Sequence, residues 1–389
     1  MKITKLHIEG FRSLRDVTWS PGDLNVVIGP NGSGKSNLLA LLEMMSVSAQ
    51  GGMGKYVQTA GGMDALVWDG SMRSIKCELA SNIDGFIEIP VGYKLHLAQI
   101  GGGSSYGIFN ERFFEFSDDG KIEGKLILAS YNKVTKYLDS TDSFVVIPPN
   151  FVAGEESVLS MLKLYGNESI RTFQRDLASI AIYRVIDTNA NASIRGSSIT
   201  RMEQRVAADG QNLISVLHTL YTGDRQFKSD INAAMRTAFG DDFDELVFPP
   251  AADQRIQLRV RWKSLKREQS AADLSDGTLR FLYLLAILAS PNPAPVIAID
   301  EPETGLHPSM LPVIAEFAVD AATRAQVILT THSPQMLDAF GTTRPTTTVA
   351  QWRNGETSLH TIKDADLDYW LKEYTLGSLF KSGELEQMA

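Results

Sequence analysis

Cysteine is nearly absent from this sequence. Cys77 is the only one in 389 residues, which excludes an intramolecular disulfide and a multi-cysteine zinc site. A lone cysteine suits a reducing compartment, so a cytoplasmic location is expected. Long hydrophobic runs are missing as well. The longest uninterrupted apolar stretch, Phe281–Ala289, is far short of the roughly 20 residues of a membrane helix, and no membrane partner is expected. The start, Met1-Lys-Ile-Thr-Lys-Leu-His-Ile-Glu9, has no signal-peptide core. Positive charge is in deficit: 37 Lys and Arg face 46 Asp and Glu, a formal net charge of −9. That argues against indiscriminate coating of nucleic acid and leaves a local basic face open to it. No fixed-period repeat, low-complexity tract or long heptad run is present, which excludes an extended coiled-coil rod. The 43% hydrophobic residues and 31 glycines fit a packed globular chain of one large domain or two to three ordinary ones.

Hydrophobic patterning predicts strands over Lys2–Ile8, Arg15–Trp19 and Leu24–Ile28, then a glycine-rich turn, Gly29–Ser36, and a helix over Asn37–Val47. Gly51–Gly70 reads as loop. Ser74–Leu79, Gly85–Ile89, Tyr93–Ile100, Phe113–Phe116 and Lys121–Ala129 are short alternating segments broken by glycine, the pattern of an antiparallel meander. Asp139–Val152 is a proline-bearing connection. Glu156–Leu164, Ile170–Ile180, Gly210–Tyr221 and Phe227–Phe239 read as helices, with polar Ala190–Thr200 between them. Gln254–Lys263 alternates cleanly. A helix over Leu279–Ala289, a strand over Val296–Ile299, a helix over Ser309–Ala322, a strand over Gln326–Thr330, a short helix from Ser333 and a last helix over Asp366–Leu379 follow. Alternating strands and helices imply a parallel sheet covered by helices. Three segments are expected: 1–135, an N-terminal lobe; 136–264, a mainly helical insertion; and 265–389, a C-terminal lobe.

Gly29-Pro-Asn-Gly-Ser-Gly-Lys-Ser36 has the spacing G-x-x-x-x-G-K-S. Such a loop turns backbone N–H groups, including those of Asn31, Gly32, Ser33, Gly34 and Asn37, toward phosphates, and the next helix adds its positive end. Lys35 is expected to reach the β- and γ-phosphates of ATP, and the Ser36 hydroxyl to ligate Mg²⁺. The strand Val296–Ile299 ends in Asp300-Glu301. Asp300 is the candidate for anchoring Mg²⁺ through water. Glu301, pointing elsewhere, could activate the attacking water; an acidic turn before a helix is the other reading. His332, after the strand Gln326–Thr330, could hydrogen-bond the γ-phosphate or the water, or simply sit beside a helix cap.

Together these pieces resemble the ABC-type ATPase heads of the SMC/RecF group: an α/β P-loop fold with a mixed parallel sheet, an antiparallel β lobe and a helical insertion. Leu274-Ser-Asp-Gly-Thr278 is similar to the signature motif, with aspartate at the second position of the usual serine-glycine-glycine. Asp300-Glu301 resembles the Walker B pair, Glu303-Thr-Gly-Leu-His-Pro308 the D-loop, His332 the switch histidine, and Phe11-Arg-Ser13 the arginine-bearing turn after the first strand. Ser275–Leu282, Asp300–Pro308, Gln326–Ser333, Glu373–Leu379 and Asp209-Gly-Gln-Asn-Leu213 resemble stand-alone ATPases related to the ATPase half of OLD-family proteins. The resemblance implies two chains facing head to tail, each phosphate loop capped by the other's Ser275 and Gly277, with ATP closing the homodimer and hydrolysis reopening it. It implies catalysis by Glu301, His332 and Lys35, a phosphate contact from Arg12, which could equally be a surface arginine, and a glutamine ligand for Mg²⁺. Gln58 is the candidate for the last; a loop glutamine is the alternative. OLD nucleases carry a metal-binding Toprim domain after the ATPase. Only 57 residues follow His332, so cleavage is expected from a separate effector, such as a nuclease. A role in DNA repair or anti-phage defence follows by resemblance, with an ATP-gated scaffold of slow turnover as the alternative and a transporter motor as a lesser one.

Residues 251–270 hold six basic and two acidic side chains, a local +4. This is either a DNA-backbone contact or a solvated edge-strand face, and the small footprint favours the second. Asp241-Asp-Phe-Asp244-Glu245 and Asp364-Ala-Asp366-Leu-Asp368 could hold a nuclease metal, but acidic loops and helix starts are the simpler reading.

Overall fold

The computed structural model describes the whole chain except residues 84–88, 102–103, 117–122, 132–133, 149–153, 364–366, 368–369, 372 and 389. The chain forms two compact units. One comprises residues 1–181, 346–363 and 388–389, the other 182–345 and 364–387.

The first unit begins with β1 (Lys2–Phe11), β2 (Leu14–Trp19) and β3 (Leu24–Ile28). It continues through α1 (Lys35–Gln50) and α2 (Met53–Thr59). The expected loop over 51–70 thus contains a helix, whose Tyr56 hydroxyl donates to Ala40 O at 3.0 Å; its glycines misled the reading by flanking the helix. Next come β4 (Ser74–Ile83), β5 (Ile89–Gln99), β6 (Tyr106–Phe116), β7 (Glu123–Tyr131), β8 (Val134–Leu138) and β9 (Phe144–Ile147). They form one eight-stranded sheet in the order β2-β1-β4-β5-β6-β7-β8-β9. Neighbours are antiparallel throughout. The expected segment Gly85–Ile89 falls mostly, and Lys121–Ala129 partly, outside the described residues.

Alternation decides which face of this sheet is dry. In β4, Ile75, Cys77, Leu79 and Ile83 are buried, while Lys76 and Glu78 are exposed. Burial pushes the Cys77 thiol up to about 12, so it stays protonated and inert. The short helix α3 (Val158–Met161) and α4 (Glu168–Ala178) belong to the same unit, and Phe173 of α4 packs on Phe113 at 4.6 Å and on Tyr93 at 5.3 Å. Beneath them Glu111 of β6 is fully buried. Its carboxylate accepts from the Tyr93 hydroxyl (2.9 Å), the Ser157 hydroxyl (2.7 Å) and the N–H groups of Val158 (2.7 Å) and Leu159 (2.9 Å). It therefore caps α3 from the sheet. Glu111→Ala strands four donors in a dry interior and should cost about 3 kcal/mol or more in urea unfolding. Burial raises the Glu111 pKa despite these donors. Its stability contribution is then full below the ordinary carboxylate range and falls as pH rises through the raised value. The difference in stability between the parent and Glu111→Gln should shrink in that direction.

The second unit holds the segment that follows β10 (Ala181–Tyr183). Here β11 (Ser197–Ile199), α5 (Leu213–Gly223), α6 (Arg225–Phe239), β12 (Phe243–Val247) and β13 (Pro250–Ala251) precede β14 (Arg255–Gln257), β15 (Arg259–Trp262) and β16 (Gln269–Ser270). The cleanly alternating stretch 254–263, expected as one strand, is two. β14 joins β11 and β13, whereas β15 joins β12 and β16. The break falls at Leu258, whose carbonyl accepts from Ala271 N at 2.9 Å. Its alternation survives, with Ile256, Leu258 and Val260 buried. Three of the basic side chains have partners within the protein: Arg261 pairs with Glu245 (2.5 Å) and Glu268 (2.7 Å), Arg259 reaches Gln257 and Arg255 the Ser197 carbonyl. Of these three, Arg261 alone meets carboxylates; Arg255 and Arg259 bond neutral oxygens, so positive charge remains on this face. In the first acidic cluster, Asp242 accepts from the Ser264 N–H and hydroxyl, and Glu245 pairs as above. Asp364, Asp366 and Asp368 lie outside the described residues.

The same unit contains α7 (Asp276–Leu288), β17 (Val296–Asp300), α8 (Leu311–Ala321), β18 (Gln326–Thr331) and α9 (Pro334–Asp338). β17 and β18 are parallel neighbours, with Asp300 opposite Thr330. Both are buried along nearly all their length, as strands covered on two faces must be. The start of the last expected helix lies partly outside the described residues, though Leu367 and Trp370 are helical and Leu371 N donates to Leu367 O at 2.9 Å; its end falls in a separate helix, α10 (Leu376–Ser382), started by a capping box of Thr375 and Ser378.

Between α9 and α10 the chain re-enters the first unit as β19 (Thr346–Arg353) and β20 (Glu356–Thr361). β19 lies parallel to β3 and antiparallel to β20. Among the described residues, no helix is long and apolar enough to cross a membrane.

Candidate nucleotide site

In the first unit, the loop Gly29–Ser36 links buried β3 to α1. Three of its glycines have positive φ: Gly29 at 146°, Gly32 at 82° and Gly34 at 101°. Gly34 is the residue that starts α1, and no side chain caps that helix. No acidic residue occupies its first turn, so the positive end of the helix suits an anion. A Cβ on Gly32 would meet nothing within 4 Å, so the loop is open at that side. Lys35 is 5% exposed. Its ammonium donates to the carbonyls of Gly29 (2.6 Å) and Pro30 (3.1 Å), curled over its own loop. The Ser33 hydroxyl is buried and has no hydrogen-bond partner among the described residues. Asn31 and Ser36 are exposed. These residues fit a triphosphate and, through the Ser36 hydroxyl, Mg²⁺.

Two elements brace the loop. Arg12, at φ 48°, turns the chain between β1 and β2. Its guanidinium lies 3.5 Å from the Asn37 side-chain oxygen. The Asn37 amide donates to the Ser13 hydroxyl at 2.7 Å. From β20, the Thr357 hydroxyl donates within reach of the Ser13 hydroxyl (2.7 Å) and the Ser33 carbonyl (2.9 Å). Thr357 escaped the sequence reading, as did the whole β19–β20 hairpin. A signal was present: Asn354-Gly355, both at positive φ, is a strong hairpin turn between alternating residues. Gly34 sits so close to Thr357 that a Cβ would lie 2.1 Å from its hydroxyl oxygen. Gly34→Ala should therefore cost roughly 2 kcal/mol or more and abolish nucleotide uptake, read by urea unfolding and by binding of a fluorescent ATP analogue. Adding Thr357→Ala should recover part of the stability, because it removes the hydroxyl and methyl contacts at 2.1 and 2.8 Å and leaves the β-carbon contact at 2.9 Å and the dihedral strain.

Gln58 is exposed on α2. Its geometry adds nothing to the Mg²⁺ assignment.

In the second unit, β17 ends at Asp300, whose carboxylate accepts from the Thr330 hydroxyl. Glu301 follows in the left-handed region, φ 50°, with its N–H held 3.1 Å from the Thr330 carbonyl. The two carboxylates are thereby turned apart. Glu301 Oε1 lies 2.9 Å from His332 Nδ1, so the carboxylate and the histidine at the ends of adjacent parallel strands do meet. Glu303, not singled out before, is nearly buried; it accepts from the Thr331 hydroxyl and, at 3.4 Å, from His332 N. Burial raises its pKa. Asp300, Glu301 and Thr304, with Arg184 and Arg280, line a cavity of about 20 Å³, room for roughly one water.

Ser275 is the N-cap of α7; its hydroxyl accepts from Thr278 N at 3.1 Å and lies 2.8 Å from the Thr278 hydroxyl. Ser275 is exposed and Gly277 half-buried. A Cβ on Gly277 would come 3.0 Å from the Gly305 carbonyl, so glycine lets the helix start approach the turn after Glu301. Asp276, the aspartate of the signature-like segment, forms an ion pair with Arg195 at 2.5 Å.

Two family profiles match the chain. The one described as "AAA ATPase domain" matches residues 1–144, and the one described as "AAA domain, putative AbiEii toxin, Type IV TA system" matches residues 174–338. No curated protein matches. Solved structures share the fold. An Smc head bound to the C-terminal winged-helix domain of ScpA is 14% identical, with a TM-score of 0.56 over 95% of this chain and 100% of that one. An Smc head with an extended coiled coil, bound to the C-terminal domain of ScpA derived from Pyrococcus furiosus, is 13% identical, with a TM-score of 0.53 over 96% and 99%.

Proposed function

We propose that this chain, which folds as an ABC-type ATPase head of the SMC/RecF kind, binds ATP with Mg²⁺, closes as a head-to-tail homodimer around it, and hydrolyses it to reopen. The observation that carries the reading is the Glu301–His332 contact of 2.9 Å in a chain that also bears the uncapped α1 and Lys35. A phosphate loop alone binds; a carboxylate held beside a histidine at the ends of parallel strands can also take a proton.

Asn31, Gly32 and Gly34 would offer backbone N–H groups to the phosphates, whereas those of Ser33 and Asn37 donate to the Pro30 (3.2 Å) and Gly34 (3.0 Å) carbonyls and would have to turn toward the anion. Lys35 leaves its loop carbonyls for the β- and γ-phosphates, and Arg12 adds a further cation. Ser36, with Asp300 through water, would hold Mg²⁺, which supplies charge neutralisation on the phosphates; Gln58 is a candidate third ligand. Glu301 accepts a proton from water as its oxygen attacks the γ-phosphorus. The bond to the β–γ bridging oxygen breaks, and ADP leaves. His332 holds the Glu301 carboxylate and senses the γ-phosphate. Ser275 and Gly277 of a second copy close over the same phosphate.

The chain would act in DNA metabolism or in defence against foreign DNA, inside the cell, with a separate effector such as a nuclease. The description of the matching profile as a toxin of a Type IV toxin–antitoxin system supports a defence setting. Heads of this fold that carry a bound ScpA domain support an effector protein docked on the head. The test is molar mass by light scattering with ATP, ADP and a non-hydrolysable analogue, beside phosphate release over many turnovers. A dimer with ATP and the analogue but not with ADP, together with sustained release, is expected. A nucleotide-held assembly without sustained release would replace the enzyme by an ATP-gated scaffold.

A further inference from the structure

The signature segment is held from outside by one side chain. Arg195 closes a short turn, Ser193–Arg195, in the polar stretch before β11. Its side chain is 10% exposed. Nε donates to the Thr188 carbonyl at 2.7 Å, fixing the guanidinium to its own turn. Nη1 faces the carbonyls of Ala271 (3.3 Å), Ala272 (3.1 Å) and Leu274 (2.7 Å), the residues leading into Ser275. Nη2 meets the Asp276 carboxylate. One planar cation thus gathers three backbone carbonyls and a carboxylate around the start of α7.

The electrostatics give this a purpose. Ser275 and Gly277 flank Asp276, and on the proposed reading they meet a γ-phosphate. A bare carboxylate there would repel that anion; a carboxylate already bonded to a guanidinium presents little net charge. We propose that Arg195 is a positioning residue for nucleotide closure. It neutralises Asp276 and sets the Leu274–Gly277 backbone so that Ser275 and Gly277 can accept the second chain's ATP. The aspartate and the arginine work as a unit, so the stretch 188–195 reports directly to the signature segment.

This rests on the ATP-closed dimer proposed above, and the experiment separates the two. Four chains are compared: the parent, Arg195→Ala, Asp276→Asn and the double variant. ATP binding to the single chain is measured by calorimetry, closure by light scattering with the non-hydrolysable analogue, and folding by thermal unfolding. Arg195→Ala should bind ATP as the parent does and close roughly tenfold or more weakly, since an unpaired carboxylate then faces the phosphate. Asp276→Asn in that background should recover most of the closure, which a purely structural arginine would not allow. Raising salt should also relieve Arg195→Ala in part. Equal closure by the parent and Arg195→Ala, or no recovery in the double variant, overturns the inference alone. A parent that binds ATP but never closes overturns the dimer reading and this inference with it.

Discussion

Lys35→Ala should weaken ATP–Mg²⁺ binding by roughly a hundredfold or more. A charge-assisted contact to phosphate is worth about 1.5–3 kcal/mol, and an ammonium bridging two phosphates makes more than one. The parent conformation shows how the site waits. Lys35 is 5% exposed, with its ammonium 2.6 Å from the Gly29 carbonyl and 3.1 Å from that of Pro30. Carbonyl oxygens are weak substitutes for phosphate oxygens, so ATP can displace them. Alanine also releases those carbonyls, and the loop loses some of its shape. Lys35→Arg tests whether charge alone suffices: the planar guanidinium is too wide for the nearly closed space and should bind ATP poorly as well. Calorimetric titration reads the affinity, and the unfolding midpoint shows that the chain remains folded. Unchanged affinity in Lys35→Ala would refute the site.

Glu301→Gln should slow multiple-turnover phosphate release by about a thousandfold, the scale of a lost general base, while ATP stays bound. Glutamine keeps the shape and can still hydrogen-bond His332, whose Nδ1 lies 2.9 Å from Glu301 Oε1. The left-handed turn at φ 50° is set by the backbone and by the Thr330 carbonyl, not by the carboxylate, so the local fold should persist. ATP should therefore accumulate on the protein and the dimer should outlast that of the parent in light scattering. Turnover at the parental rate would show that Glu301 is not the base.

The legible part of the site was local. Gly29–Ser36 was legible as a glycine-rich turn before a helix because positive-φ glycines and a following helix are properties of neighbouring residues. Asp300-Glu301 and His332 were legible because buried strands read as continuous apolar runs, and polar residues at their ends stand out. That Glu301 and His332 touch was not legible. It depends on β17 and β18 lying side by side in register, Asp300 opposite Thr330. Thr357 was missed because it reaches the loop across more than 300 positions of sequence, with an Asn-Gly turn the only hint. The stretch 254–263 shows the opposite limit: its alternation correctly gave the buried face, but pairing partners from elsewhere split one strand into two.

The amino-acid order alone determined that this chain carries a glycine-rich loop before a helix, a buried strand ending in Asp300-Glu301 and another ending at His332, since each needs only contiguous residues in a particular backbone conformation. Tertiary structure alone decided the electrical character of those parts. It joined Glu301 to His332, paired Arg261 with Glu245 and Glu268, and matched Asp276 with Arg195. Charge acts through space over a few ångströms, and only folding brings distant positions within that range.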